Sequence, residues 1–256
     1  MVKYEEFAEV VQQERIASDI YSLWIRTERI AEEAKAGQFL SLYTGEESRM
    51  LPRPISICQI DRTGGRIRMV YRVAGKGTEE FSRLRAGERI RVLGPLGNGF
   101  PLDRGVKKAF LMGGGIGIPP MVQLARELEG EVQIIAGYRD ERFLTEELAA
   151  GGALYIATED GSAGTRGNVL DVVREQELTA DIIYACGPRP MLRAVKAYAE
   201  VQGIECWLSM EERMACGIGA CLACVCPSAQ VDPHTHVHNK RVCKDGPVFL
   251  STEVEL

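Results

Sequence analysis

A chain of 256 residues with 45% hydrophobic and 26% charged residues has ordinary globular composition and enough length for two domains. Its formal net charge of -5 leaves no basic surplus for phosphates, which excludes nucleic acid and anionic membrane as expected partners and points to protein and small molecules. The start, MVKYEEFAEV, lacks the basic, apolar pattern of a secretion signal and no run reaches membrane-spanning length, so a cytoplasmic protein is expected.

In chain order, short alternating strands are predicted at Ile20–Arg26, Gln38–Tyr43, Pro54–Gln59, Arg66–Val73 and Arg89–Leu93, separated by turns. They define a small antiparallel β-barrel over residues 1–103. From 104 to 209 apolar strands alternate with helices: AFLMGGG then PPMVQLAREL, VQIIAGY then FLTEELAA, ALYIATEDG then NVLDVVREQ, DIIYACG then PRPMLRAVKAYAEVQG. That alternation predicts a doubly wound parallel sheet, with Ile204–Leu208 as a further strand. Residues 210–256 form a cysteine-rich tail too poor in apolar residues for a core of its own. The fold class is thus multidomain β and α/β.

Two stretches of the barrel carry candidate binding groups. Arg53-Pro54-Ile55-Ser56 combines a cation suited to a diphosphate with a hydroxyl able to reach a flavin ring. Tyr71-Arg72-Val73-Ala-Gly75-Lys-Gly77-Thr78 adds a ring, a second cation and a glycine-threonine nest for phosphate; an exposed hairpin with incidental arginines is the plainer alternative. In the second region, Gly113-Gly114-Gly115-Ile116-Gly117-Ile118-Pro119-Pro120 places a glycine-rich turn between a strand and a helix, where a pyrophosphate can approach bare N–H groups. Cys186-Gly187-Pro188-Arg189-Pro190-Met191 ends another strand on the same carboxyl edge, with Cys186 placed to lie near a nicotinamide. The polar turn from Thr158 to Gly167 is a wall of that site or simply a loop. Tyr138-Arg139-Asp140-Glu141-Arg142 carries both charge signs, so the choice of NAD or NADP stays open.

Of eight cysteines, Cys216, Cys221, Cys224 and Cys226 fall within eleven residues. Cys216-x4-Cys221-x2-Cys224 followed by the distant Cys243 is the plant-type 2Fe-2S spacing, and the small residues between the first three let backbone wrap closely around the irons. Zinc is the rival metal, but zinc ribbons pair two C-x2-C knuckles and this chain has one. Cys226 reads as structural, and Cys58, Cys186 and Cys206 as buried strand residues. His234, His236 and His238 would share one face if their segment is a strand; a solvated hairpin is the plainer reading.

In this order R-P-x-S, G-x-G-T, GGGxGxxP and CGPxxM resemble the ferredoxin reductase-like flavoprotein superfamily. With MEERMACGIGACLACVC and RVCKDGPVF, the whole chain resembles the electron-transfer subunits of type B dihydroorotate dehydrogenases, with PSAQVDPHTHVHNK as an extension before Cys243. The resemblance implies that Arg53, Pro54, Ile55 and Ser56 hold FAD, that Val70, Tyr71 and Arg72 contribute, and that Gly77 and Thr78 meet its phosphate. It implies Cys216, Cys221, Cys224 and Cys243 as cluster ligands and NAD as the nicotinamide, for which Gly113, Gly114, Gly115, Gly117, Cys186, Gly187 and Pro188 are the candidate contacts read from the two turns above. The partner it implies is an FMN-containing dihydroorotate dehydrogenase catalytic subunit, two of each forming a heterotetramer in pyrimidine (UMP) biosynthesis. The chain itself offers no candidate base for an organic substrate. The alternatives are the small subunit of a related ferredoxin-NADP or sulfide oxidoreductase, or a redox sensor without turnover.

Overall fold

The computed structural model describes residues 2–46, 48–102, 105, 107–231 and 236–256. Six antiparallel strands, β1 (Tyr4–Ala17), β2 (Ile20–Arg26), β3 (Phe39–Leu42), β4 (Arg53–Asp61), β5 (Arg66–Arg72) and β6 (Arg89–Leu96), close a barrel in the order β1-β2-β5-β4-β3-β6. Helix α1 (Glu28–Glu33) follows β2 and α2 (Lys76–Phe81) follows β5. Leu23, Ile25, Leu40, Leu42, Ile57, Ile67 and Met69 alternate inward and fill the barrel.

The sequence pattern missed β1, which closes the barrel by pairing with both β2 and β6. Only Ala8, Val10 and Ala17 of this strand are buried. A register shift between Val10 and Gln12 also breaks its alternation, so the period-2 signal is faint.

The second region contains β7 (Lys108–Gly114), α3 (Pro119–Glu127), β8 (Glu131–Tyr138), α4 (Thr145–Ala149), β9 (Ala153–Thr158), β10 (Thr165–Arg166), α5 (Val169–Glu175), β11 (Ile182–Cys186), α6 (Arg189–Gln202) and β12 (Glu205–Ser209). The sheet runs β10-β9-β8-β7-β11-β12 with all pairs parallel. The start of α5 follows local chemistry. Asn168 caps α5 by accepting from Leu170 N (2.9 Å), while Asp171 accepts from Asn168 N (2.8 Å).

The tail adds β13 (Val225–Pro227), paired with β14 (Asn239–Arg241), and β15 (Val248–Leu250), which joins the large sheet antiparallel to β12. Its core is shared. Met210, Met214, Cys226, Val242 and Phe249 pack with Phe39 and Leu96 of the barrel, which compensates for the few apolar residues of the tail. His234 lies outside the described residues. His236 has φ 58 and lies outside any strand, so the strand that would have put the histidines on one face is not formed there; His238 Nδ1 lies 3.1 Å from Ser228 O.

Barrel and sheet are tied by polar contacts as well as apolar ones. The Ile60 N–H donates to Gln123 Oε1 on α3 (2.7 Å), Arg68 to Glu147 on α4 (2.7 Å), and the Ser18 N–H to Glu141 (2.9 Å).

Candidate cofactor-binding site

The cysteine loop is shaped by glycine. Gly217 and Gly219 have φ of +68 and +84, a region other residues avoid, and this turns the chain tightly around its own sulfurs. Cys216 Sγ accepts from Cys221 N (3.4 Å) and lies 3.3 Å from Cys221 Sγ. Cys243 Sγ accepts from Gly219 N (3.1 Å), and Cys224 Sγ accepts from Cys243 N (3.5 Å).

The structure therefore brings all four expected ligands together as two pairs, Cys216 with Cys221 and Cys224 with Cys243. Among the described residues no three His, Cys, Asp or Glu side chains are poised around one ion. Two pairs with N–H groups aimed at sulfur fit a two-iron cluster, in which each iron needs two thiolates. Partial burial disfavours a Cys216 thiolate, but the N–H groups of Cys221, Ile218 and Ala220 together bring its pKa down to about 6. Burial and the neighbouring Cys224 thiol push Cys243 up to about 12. Arg241 holds the two parts of the loop together by donating to Gly219 O (3.1 Å).

The other cysteines are inert by burial, which pushes Cys58 and Cys206 up to about 12 and raises Cys186 and Cys226. Cys226 sits in β13 inside the tail core.

In the barrel, Arg53 and Gly77 meet. A carbon added to Gly77 would stand 2.6 Å from Arg53 Nε and 2.8 Å from its Nη2. The guanidinium thus lies over the start of α2, and its Nη1 also donates to Leu51 O. Thr78 Oγ1 accepts from Ala74 N (2.9 Å) and Gly75 N (3.3 Å), so the hydroxyl orders the glycine turn. Pro54 and Ser56 alternate with Ile55, which packs on the barrel core, and so stand on the outer face of β4.

The three residues of β5 separate. Tyr71 points into the barrel, its hydroxyl accepting from Gln13 Nε2 (2.7 Å), leaving its backbone as the part that can meet a cofactor. Val70 packs in the core between barrel and sheet. Arg72 is exposed in a crevice of about 590 Å³ lined also by Ser18, Asp19, Gly115, Tyr138 and Arg139.

At the sheet's carboxyl edge, Gly113 of β7 pairs with Cys186 of β11, at the point where the strand order reverses. A carbon on Gly117 would fall 2.3 Å from Cys186 O, and one on Gly114 would fall 2.3 Å from Met191 Sδ and 3.2 Å from Pro188 Cδ. Gly187 likewise sits 2.9 Å from Met191 Sδ by that measure. These glycines let the two turns nest together. Gly115, with φ +53 and open space around it, offers bare backbone to the crevice. Asp140 accepts from Glu141 N (2.7 Å) and pairs with Arg139 at 3.3 Å on the surface.

Sequence reasoning named Arg53 and Pro54 but missed Glu211, which faces them across a second cleft of about 810 Å³ between Arg49–Pro54 and Glu211–Met214. Glu211 is reached by solvent yet walled by protein, and this desolvation raises its pKa. Its position two residues after β12, on the carboxyl edge, was the available signal. Glu212 pairs with Arg189 at the start of α6.

A barrel with a diphosphate-suited arginine, a doubly wound sheet with nested glycine turns and two thiol pairs define a flavin- and nucleotide-binding oxidoreductase subunit with an iron-sulfur centre. Residues 211–255 match the iron-sulfur cluster binding domain of dihydroorotate dehydrogenase B, and residues 7–100 match an oxidoreductase FAD-binding domain. The chain is 46% identical over 254 residues to the dihydroorotate dehydrogenase B (NAD(+)) electron transfer subunit of Listeria monocytogenes serotype 4a, covering 96% of this chain and 97% of that one. Against the same subunit of Geobacillus sp. (strain WCH70) it is 44% identical over 264 residues, covering both chains fully. It belongs to this family of electron transfer subunits.

Among solved structures it is similar to the NADH-dependent reduced ferredoxin-NADP oxidoreductase studied for flavin-based electron bifurcation. The TM-score is 0.87 at 28% identity, covering 98% of this chain and 90% of that chain. The ferredoxin reductase of carbazole 1,9a-dioxygenase shares the fold, with TM-score 0.68 at 22% identity over 80% of this chain and 67% of that one.

Proposed function

We propose that this chain takes electrons from the FMN of a dihydroorotate dehydrogenase catalytic subunit and delivers them to NAD+, within pyrimidine (UMP) biosynthesis. The observation that carries the reading is the packing of the cysteine loop on the flavin strand. Gly217 lies against Ser41 of β3, and Ser41 pairs in register with Pro54 of the Arg53–Ser56 segment. When bound, a two-iron cluster supplies one-electron exchange and FAD couples it to the two-electron chemistry of nicotinamide.

The chain's own residues bind and orient. Cys216, Cys221, Cys224 and Cys243 supply the thiolates. Arg53, over the start of α2, offers charge-assisted hydrogen bonds to the FAD diphosphate, with the Gly75–Thr78 turn supplying N–H groups. Pro54, Ile55 and Ser56, with the backbone of Val70 and Tyr71, shape the ring site. Gly113–Gly117 and Cys186–Pro188 line the nicotinamide end, and Arg72 faces Gly115 across the crevice. Chemistry on the organic substrate falls to the catalytic subunit, with two copies of each chain in the assembly. Eight free cysteines suit a reducing compartment, and we place the protein in the cytoplasm; among the described residues no helix is long and apolar enough to cross a membrane.

The test is co-expression with an FMN-containing dihydroorotate dehydrogenase subunit. Co-purification and dihydroorotate-dependent NAD+ reduction are expected; their absence, with cluster and FAD intact, would overturn the assignment. The likeness to the NADH-dependent reduced ferredoxin-NADP oxidoreductase favours a second reading, as a small subunit of that kind, which would show as ferredoxin-linked NADP+ reduction instead.

A further inference from the structure

Ser41 is fully buried, at 0% exposure, and its hydroxyl has no hydrogen-bond partner. Its neighbours on β3, Leu40 and Leu42, point into the barrel, whereas Phe39 packs into the core of the tail. Alternation therefore puts Ser41 on the outer face with Phe39, under the cysteine loop and beside Pro54. A carbon added to Gly217 would stand 2.9 Å from Ser41 Oγ and 3.3 Å from Leu96 Cδ1. The absence of that carbon leaves the hydroxyl facing the turn that begins at Cys216. A buried hydroxyl is costly without an acceptor, and none of the described residues supplies one.

We propose that the Ser41 hydroxyl donates a hydrogen bond to an inorganic sulfide of the bound 2Fe-2S cluster and so raises the cluster's reduction potential. This rests on the reading of the four cysteines as cluster ligands. Reduction adds negative charge to the cluster, so a donor aimed at sulfur stabilises the reduced form more than the oxidised one. Ser41 stands where the cysteine loop meets the flavin strand, so the bond also orients the centre against β4.

The experiment compares wild-type complex with Ser41→Ala and Ser41→Thr, each reduced and followed by redox titration of the cluster's electron paramagnetic resonance signal. Loss of the hydroxyl in Ser41→Ala disfavours reduction of the cluster about tenfold, a fall of about 59 mV for a one-electron couple, and leaves the FAD potential in place. In deuterium oxide one exchangeable deuteron coupling to the reduced cluster disappears. Ser41→Thr keeps both properties. An unchanged cluster potential and coupling, or a shift confined to FAD, overturns the proposal. If Ser41→Ala does not assemble, the isosteric pair Ser41→Thr and Ser41→Val, differing only in the hydroxyl, decides by the same readings. Wild-type protein without iron would sink the cluster reading itself, a separate result.

Discussion

A side-chain carbon on Gly77 would stand 2.6 Å from Arg53 Nε, so the glycine is the seat on which this guanidinium rests. Gly77→Ala must displace Arg53 from the start of α2. On the proposed role of Arg53 at the FAD diphosphate, loss of a charge-assisted hydrogen bond costs about 1.5–3 kcal/mol and should weaken FAD binding about 10–100-fold. Reconstitution of apoprotein followed by flavin fluorescence reads this directly. Arg53→Ala should weaken binding similarly, and the double variant should lose little more, because both remove one contact. Additive losses would show that Gly77 acts elsewhere.

On the proposed function, the paired thiols are the cluster ligands and Cys226 is a bystander. Cys216→Ser and Cys243→Ala each break one pair and should lose the cluster's iron, sulfide and visible absorption. Cys226→Ala, two residues from Cys224 but buried in the tail core, should retain iron and cost about 1 kcal/mol through a small cavity. Iron and sulfide assays on anaerobically purified variants discriminate. Iron loss in Cys226→Ala equal to that in Cys216→Ser would contradict the assignment.

The parts of this site that were legible in the sequence are those fixed by local geometry. Four cysteines at plant-type spacing are a local constraint, and the structure sets them as two pairs, Cys216 with Cys221 and Cys224 with Cys243. The nested turns of Gly113–Gly117 and Cys186–Pro188 were readable because each follows an apolar strand. What could not be read depends on long-range packing. The burial of Tyr71's ring is decided by which face of β5 the barrel covers, and the contact of Gly217 with Ser41 joins residues far apart in the chain. β1 escaped because Glu5, Glu6, Glu9 and Glu14 crowd a strand with three buried side chains. β15 escaped because its partner β12 lies across the whole cluster loop.

The buried contact from Ile60 N–H to Gln123 Oε1 measures how firmly the barrel is held to the sheet. Gln123→Leu keeps the side chain's bulk but leaves the Ile60 N–H without its acceptor, a loss of about 1–3 kcal/mol. At about 2–4 °C per kcal/mol for a chain of this size, the melting temperature should fall by a few degrees or more. The cluster should stay intact, because α3 packs in a different core from the cysteine loop. A melting temperature equal to wild type would mean that the amide finds water at no cost.

Asp61, at the end of β4, accepts from Gly64 N (2.8 Å) and from Arg66 Nε and Nη2 (2.9 and 2.6 Å), and so fixes the turn into β5. The Gly64 N–H foremost, then the Arg66 guanidinium, hold its pKa below the usual 3.8. The unfolded chain therefore binds the proton more readily than the folded one. The stability Asp61 contributes is present in full above its unfolded pKa of about 3.9 and is lost as pH falls through the lower folded value. Asp61→Asn should lower stability at neutral pH by about 1 kcal/mol, the scale of a surface ion pair with a backbone bond. The gap between the two proteins should be constant from pH 5 to 7 and close towards acid. Urea unfolding across that range checks the trend, and carboxyl carbon NMR titration gives the folded value. A titration at or above 3.8 would show that the turn does not hold the carboxylate charged.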